Sequence, residues 1–164
     1  MEHIFAPWRK DFIENKEKKE EGCIFCNRVK NDPSIENLVV FKGLQSFVIL
    51  NKYPYNNGHL MVVPYRHTSD FLSLTHEEMN DLIYNIQNAI EKLKKVYNPE
   101  GFNIGMNLGA VAGAGIAEHL HWHIVPRWGG DTNFMPVTGG TKVLHEMLED
   151  TYNKLYPLYH SDRS

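Results

Sequence analysis

An α+β fold follows from three patterns in the chain. Five short runs, at 38–41, 46–50, 59–64, 101–107 and 119–125, are apolar throughout or alternate apolar with polar residues, the period-two signature of strands. A long segment after Thr75 repeats its apolar residues every three or four positions, the period of a helix. A second helical stripe closes the chain. The expected architecture is a mostly antiparallel sheet of about five strands carrying one long helix and a C-terminal helix.

With 164 residues, 42% of them hydrophobic, the chain is expected to build one domain around one core. A net charge of −3 and a pI of about 6.3 give no basic footprint for nucleic acid, although a local phosphate pocket remains open. No apolar run approaches the roughly 20 residues of a membrane span. The opening residues 1–9 carry no h-region of a signal peptide, so a cytoplasmic protein without a membrane partner is expected.

Residues 1–22 read as an N-terminal arm. Phe5, Pro7 and Trp8 stand at its front, and a charged run over 14–21 follows. Residues 23–157 form the domain. Cys23-Ile24-Phe25-Cys26 comes first and is ambiguous by itself: a redox pair, half a metal site or two buried thiols. Leu38–Phe41 and Ser46–Leu50, joined by a short glycine-bearing connection, predict a hairpin. Asn51–Gly58 is rich in Asn, Pro and Gly and reads as a loop, and His59–Pro64 as the next strand.

Thr75 and Glu78 form a capping box. Met79, Leu82, Ile83, Ile86, Ala89, Ile90, Leu93, Val96 and Tyr97 then mark the core-facing stripe of the long helix. Lys92, Lys94 and Lys95 suit its C-terminal dipole, and Asn98-Pro99 and Gly101 end it. After the strand at 101–107, Leu108–Glu118 is built of small residues and glycines, so backbone N–H groups can approach an anion. Val143, Leu144, Met147, Leu148, Tyr152 and Leu155 outline the last helix, expected to end near Pro157, with 158–164 as a frayed tail.

The chemistry concentrates in His119-Leu120-His121-Trp122-His123-Ile124-Val125-Pro126-Arg127. Alternation on a strand would turn Leu120, Trp122 and Ile124 to the core and set the three imidazoles in a row, roughly 6.5–7 Å apart. Such a row suits a transition metal or nucleophilic catalysis. Arg127 suits either a phosphate or a carboxylate partner.

His-φ-His-φ-His-φ-φ, with φ apolar, is the histidine triad pattern. From about Cys23 to Phe134 the chain resembles the histidine triad (HIT) nucleotide hydrolases and transferases. The run after the triad and Ala6-Pro7-Trp8-Arg9 are similar to a bacterial branch that includes diadenosine-tetraphosphate phosphorylases. The resemblance implies a HIT-like fold, a homodimer and a nucleotide or dinucleoside polyphosphate as substrate. It makes His121 the nucleophile that forms a nucleotidyl-histidine, with His123 contacting the phosphate or assisting the leaving group. It implies Asn51 at the ribose, His59 and Asn107 near the phosphate, and backbone N–H groups at Gly113, Gly115 and Ile116. Cys23, Cys26, His67 and His119 become ligands of a structural zinc, with no metal needed for catalysis.

One position departs from the family. Many of its hydrolases carry Gln four residues before the first triad His, and the phosphorylase-like branch carries Gly-Ser where this chain has Ala114-Gly115. The acceptor, water or inorganic phosphate, is therefore open. Outside this reading stand a nucleotide-binding or zinc module without turnover, and a His₃ metalloenzyme whose activity a chelator would abolish.

Overall fold

The computed structural model describes residues 21–131 and 144–161. Most of the N-terminal arm, Phe134, Val143 and the last three residues of the tail lie outside the described residues.

Five strands form one sheet: β1 (Val39–Lys42), β2 (Ser46–Leu50), β3 (Leu60–Pro64), β4 (Gly101–Gly105) and β5 (Trp122–Arg127). Their spatial order is β1-β2-β3-β5-β4, and every neighbouring pair is antiparallel. The hairpin turns where expected, with the Gly43 N–H donating to the Ser46 carbonyl at 2.8 Å. β2 and β3 are buried at every position, which is why they read as unbroken apolar runs rather than as alternations. In register, β3 sets Met61 opposite His123, and β4 sets Gly105 opposite the same residue. β5, which carries His123, is thus paired on both sides.

A short helix, α1 (Ile24–Arg28), begins at Cys23 and inserts Phe25 into the core. The long helix, α2 (His76–Tyr97), packs on β2, β3 and β5. Both halves of its capping box form: Thr75 Oγ1 accepts from the Glu78 N–H, and Glu78 Oε2 accepts from the Thr75 N–H. Asn98 ends it in the left-handed conformation at φ 43°.

Two residues of α2 depart from expectation. Ile83 is exposed, because it lies a helical step away from the Leu82-Ile86-Ala89-Leu93 seam. Lys92 is buried rather than waiting at the dipole. Its stem lies in the core and its ammonium sits 5.0 Å from the Tyr159 ring centre, a cation–π contact.

The last helix, α3 (Leu148–His160), packs on α2 and β1. It passes through Pro157 rather than stopping there. Proline removes one hydrogen bond, but buried Tyr152, Leu155 and Tyr159 hold one face down across the interruption. Ser161 N–H then closes the end on the Pro157 carbonyl at 2.9 Å.

Candidate active site and metal centre

The three triad histidines are not a row of equals. Regular strand pairing starts at Trp122, so His119 and His121 lie in the segment leading into β5. There the Leu120 N–H donates to the Thr68 carbonyl at 2.8 Å rather than to a strand. Leu120 and Ile124 are buried as expected, whereas Trp122 is half-buried against Phe71. His121 and His123 meet with ring centres 5.0 Å apart, closer than an ideal strand would bring them. His119 turns away toward the cysteines.

Main-chain partners decide which nitrogen of each ring carries its proton, because a carbonyl can only accept and a backbone N–H can only donate. His121 Nδ1–H donates to the His119 carbonyl at 2.8 Å, which leaves Nε2 with a free lone pair. His59 Nδ1 accepts the Tyr55 N–H at 3.0 Å, so its proton is on Nε2. That Nε2–H donates to His123 Nδ1 at 2.9 Å, which places the proton of His123 on Nε2. The result is a bare nitrogen on His121 beside an N–H donor on His123. Burial, followed by the charge His121 carries when protonated, pushes His123 down to about 4, so at neutral pH it is an uncharged donor.

Asn51 stands at the start of this chain. Its Nδ2 lies 3.4 Å from His59 Nδ1, and its N–H donates to the His59 carbonyl at 3.0 Å. Across the glycine loop, Asn107 Nδ2 donates to the Gly113 carbonyl at 3.3 Å. Gly113 holds φ +92°, a left-handed conformation that suits glycine. The N–H groups of Ala112, Gly113 and Ala114 are turned onto the carbonyls of Gly109 and Ala110. Gly113 therefore shapes the loop, and its own N–H is engaged. The N–H groups of Gly115 and Ile116 make no hydrogen bond among the described residues. A Cβ added at Gly115 would meet nothing within 4 Å.

Arg127 takes the carboxylate option. Its Nε and Nη2 donate to Asp131 at 2.7 and 2.8 Å, and its Nη1 to Asn103 Oδ1 at 2.6 Å. Asp131 also accepts from Trp128 N and from Asn56 Nδ2, and that same Nδ2 reaches the Pro126 carbonyl at 3.0 Å. Buried Asn56 thereby ties the loop after β2 to β5.

A second cluster shares His119. Cys23 Sγ, Cys26 Sγ, His67 Nδ1 and His119 Nδ1 all lie within 4.8 Å of one another. His119 Nδ1 is 3.2 Å from Cys23 Sγ, 3.6 Å from Cys26 Sγ and 3.2 Å from His67 Nδ1, and Cys26 Sγ is 3.5 Å from His67 Nδ1. The edges of a tetrahedral zinc site with two sulfur and two nitrogen ligands are about 3.3–3.8 Å. His119 Nε2–H donates to the Pro64 carbonyl at 2.9 Å, so its Nδ1 faces the cluster as a lone pair. Burial, above all, pushes the Cys26 thiol up, which a bound cation would reverse. The four side chains therefore fit zinc.

The loop that supplies His67 is clamped to α2. Arg66 Nε and Nη2 donate to the two Glu78 oxygens at 2.8 and 2.7 Å, and its Nη2 also donates to the Ser73 carbonyl at 2.8 Å. No role was assigned from the sequence to Arg66, Tyr55, Asn56 or Asp131, and Glu78 carried a signal only through its capping box.

Residues 32–130 match the HIT domain family. The chain is 53% identical over 157 residues to an AP-4-A phosphorylase of Mycobacterium tuberculosis, an alignment spanning 92% of this chain and 80% of that protein. It is 30% identical to the adenosine 5'-monophosphoramidase of Schizosaccharomyces pombe, over 65% of this chain and 74% of that protein. Among solved structures, a Zn-bound histidine triad family protein from Mycobacterium smegmatis superposes with a TM-score of 0.66 at 23% identity, covering 85% of this chain and 94% of the other, a likeness of fold.

Proposed function

Because the chain belongs to the histidine triad (HIT) family of nucleotide-processing enzymes, we propose that it cleaves dinucleoside polyphosphates such as diadenosine tetraphosphate through a nucleotidyl-histidine on His121. The observation that carries the residue roles is the proton order along His59, His123 and His121. His121 Nε2 attacks the α-phosphorus, and the N–P bond forms as the bridging P–O bond breaks. The His119 carbonyl stabilises the Nδ1–H as the ring becomes positive. His123 Nε2–H donates to the phosphate or to the departing oxygen, where negative charge grows. The acceptor then attacks the same phosphorus and releases His121. Asn51 holds the ribose, and the N–H groups of Gly115 and Ile116 hold phosphate oxygens. Arg127 acts as the tie between β5 and the Asp131 turn rather than as a phosphate ligand.

Two acceptors remain within this reading. Water gives AMP and ATP from diadenosine tetraphosphate, and inorganic phosphate gives ADP and ATP. The 53% identical relative named as a phosphorylase favours phosphate. Product analysis with and without phosphate distinguishes them. In the same assay His121→Ala should lose turnover while retaining nucleotide binding, and retained turnover would overturn the assignment of the nucleophile.

Zinc on Cys23, Cys26, His67 and His119 is part of the proposal. When bound it supplies a cross-link between α1, the loop after β3 and the catalytic segment. The homodimer belongs here too, supported by the edge position of β4 with Ile104 exposed. Sedimentation measures it. Among the described residues no helix is long and apolar enough to cross a membrane. A cytoplasmic location is supported by the free thiols of Cys23 and Cys26.

A further inference from the structure

Two aromatic rings flank the reactive imidazoles, and they differ in what lies behind them. Phe25 sits 5.1 Å from His121 and 5.4 Å from His119, and it is buried. Tyr55 sits 4.7 Å from His59 and 5.8 Å from His123, inclined to the latter ring by 27°, and it is 54% exposed. Core closes the Phe25 side of the site, while the Tyr55 side opens to solvent. The bonds described above use only the backbone N–H of Tyr55, which any residue but proline provides. They leave its ring unexplained, and its hydroxyl has no hydrogen-bond partner among the described residues. In the same loop Tyr53 is 56% exposed, and the Lys52 ammonium lies 5.7 Å from its ring centre. Exposed aromatic rings beside a lysine, next to reacting atoms, are the surface on which a nucleic base stacks while its phosphates are neutralised.

We infer that Tyr55 is the stacking platform for the second, departing nucleoside of a dinucleoside polyphosphate, with Tyr53 and Lys52 extending the same surface. The inference rests on the nucleotidyl-histidine reading. A phosphate chain leaving His121 passes the Nε2–H of His123, and the base at its far end emerges on the open side, where Tyr55 stands. The platform recognises the π-face of a base rather than its edge, so it is tolerant of base identity but requires that a second base exist.

The test compares diadenosine tetraphosphate, which has two bases, with adenosine 5'-phosphoramidate, which has one, both with inorganic phosphate present. In Tyr55→Ala the ratio of the two kcat/KM values should fall about 5- to 20-fold, the lower part of the range for base–aromatic stacking, with the change carried by KM for the two-base substrate. Tyr55→Trp should keep or raise the ratio. Any general damage to folding or to His59 affects both substrates and cancels. An unchanged ratio in Tyr55→Ala, with the wild type active on both substrates, overturns the inference and leaves the reaction standing. A wild type that cleaves only the one-base substrate also overturns it. A wild type that cleaves neither defeats the nucleotidyl-histidine reading itself.

Discussion

Replacing Glu78 with Gln removes one charge from the clamp that holds the His67 loop, and little else. The wild-type carboxylate accepts two bonds from Arg66 and one from the Thr75 N–H. Arg66, before all other causes, depresses the Glu78 carboxyl to about 2. An unfolded glutamate titrates near 4.3, so the folded state binds the proton more weakly, and the stabilisation is complete above pH of about 5. It is lost as pH falls from there through about 2. A depression of this size corresponds to at most about 3 kcal/mol. The Arg66 side chain is 41% exposed, so water and salt screen the pair, leaving about 1–2 kcal/mol. Gln keeps the shape and an oxygen for the Thr75 N–H. Urea unfolding at pH 7 should therefore show the variant about 1–2 kcal/mol less stable, or about 3–6 °C lower in Tm for a chain of this size. The gap should narrow steadily as pH falls from about 4.5 to 3, and again in about 1 M salt. Loss of metal in acid would affect both proteins and leave the difference intact. A gap that stays constant or widens on acidification would refute the assignment to the Arg66–Glu78 charge pair.

Other expectations follow from single positions. Gly58 holds φ +75°, and an added Cβ would lie 3.0 Å from Leu93 Cδ2 and 3.1 Å from Tyr97 Cε2. Gly58→Ala should cost about 2 kcal/mol and displace His59, a combination read as a lower Tm with reduced kcat. Gly115→Ser has open space, so its Tm should stay within about 1 °C while the product ratio shifts toward phosphate-dependent ADP release; a large Tm loss would contradict the open geometry. Cys26→Ser should lower bound zinc below one per chain by elemental analysis and reduce thermal stability, and a chelator should do the same to the wild type. Full metal retention in Cys26→Ser would remove that thiol from the ligand set.

Much of this was legible in the chain because it rests on local periodicity. The hairpin, the capped helix and the triad strand each declare themselves within a dozen residues. The placement of Lys92 and Ile83 was not legible, because a helical stripe is wide and only the neighbouring α3 decides which edge of it is covered. Pro157 misled for a related reason: local propensity predicts a stop, but Tyr159 beyond it packs into the core. At the site, the residues proposed to react stand in a sequence motif, and the groups that orient them do not. Tyr55 acts through a main-chain N–H, and Asn56 and Asp131 meet across 75 positions of sequence, so neither leaves a motif. The triad spacing alone did not show that His119 turns from the other two, although the family resemblance grouped it with Cys23, Cys26 and His67; in the structure the Pro64 carbonyl holds its ring and the Thr68 carbonyl holds the Leu120 N–H.

His119 serves two ends with two kinds of atom. Its ring is offered to the cluster of Cys23, Cys26 and His67, while its carbonyl accepts the hydrogen bond of His121 Nδ1–H. A mutation can delete the ring, but no mutation to another residue deletes the carbonyl. The two properties are therefore separable in inheritance. A descendant can exchange His119, give up the Cys/His cluster and stabilise α1 by other means, and His121 keeps its proton on the same nitrogen as long as the backbone path survives. His121 has no such latitude, because the role proposed for it lies wholly in the side chain.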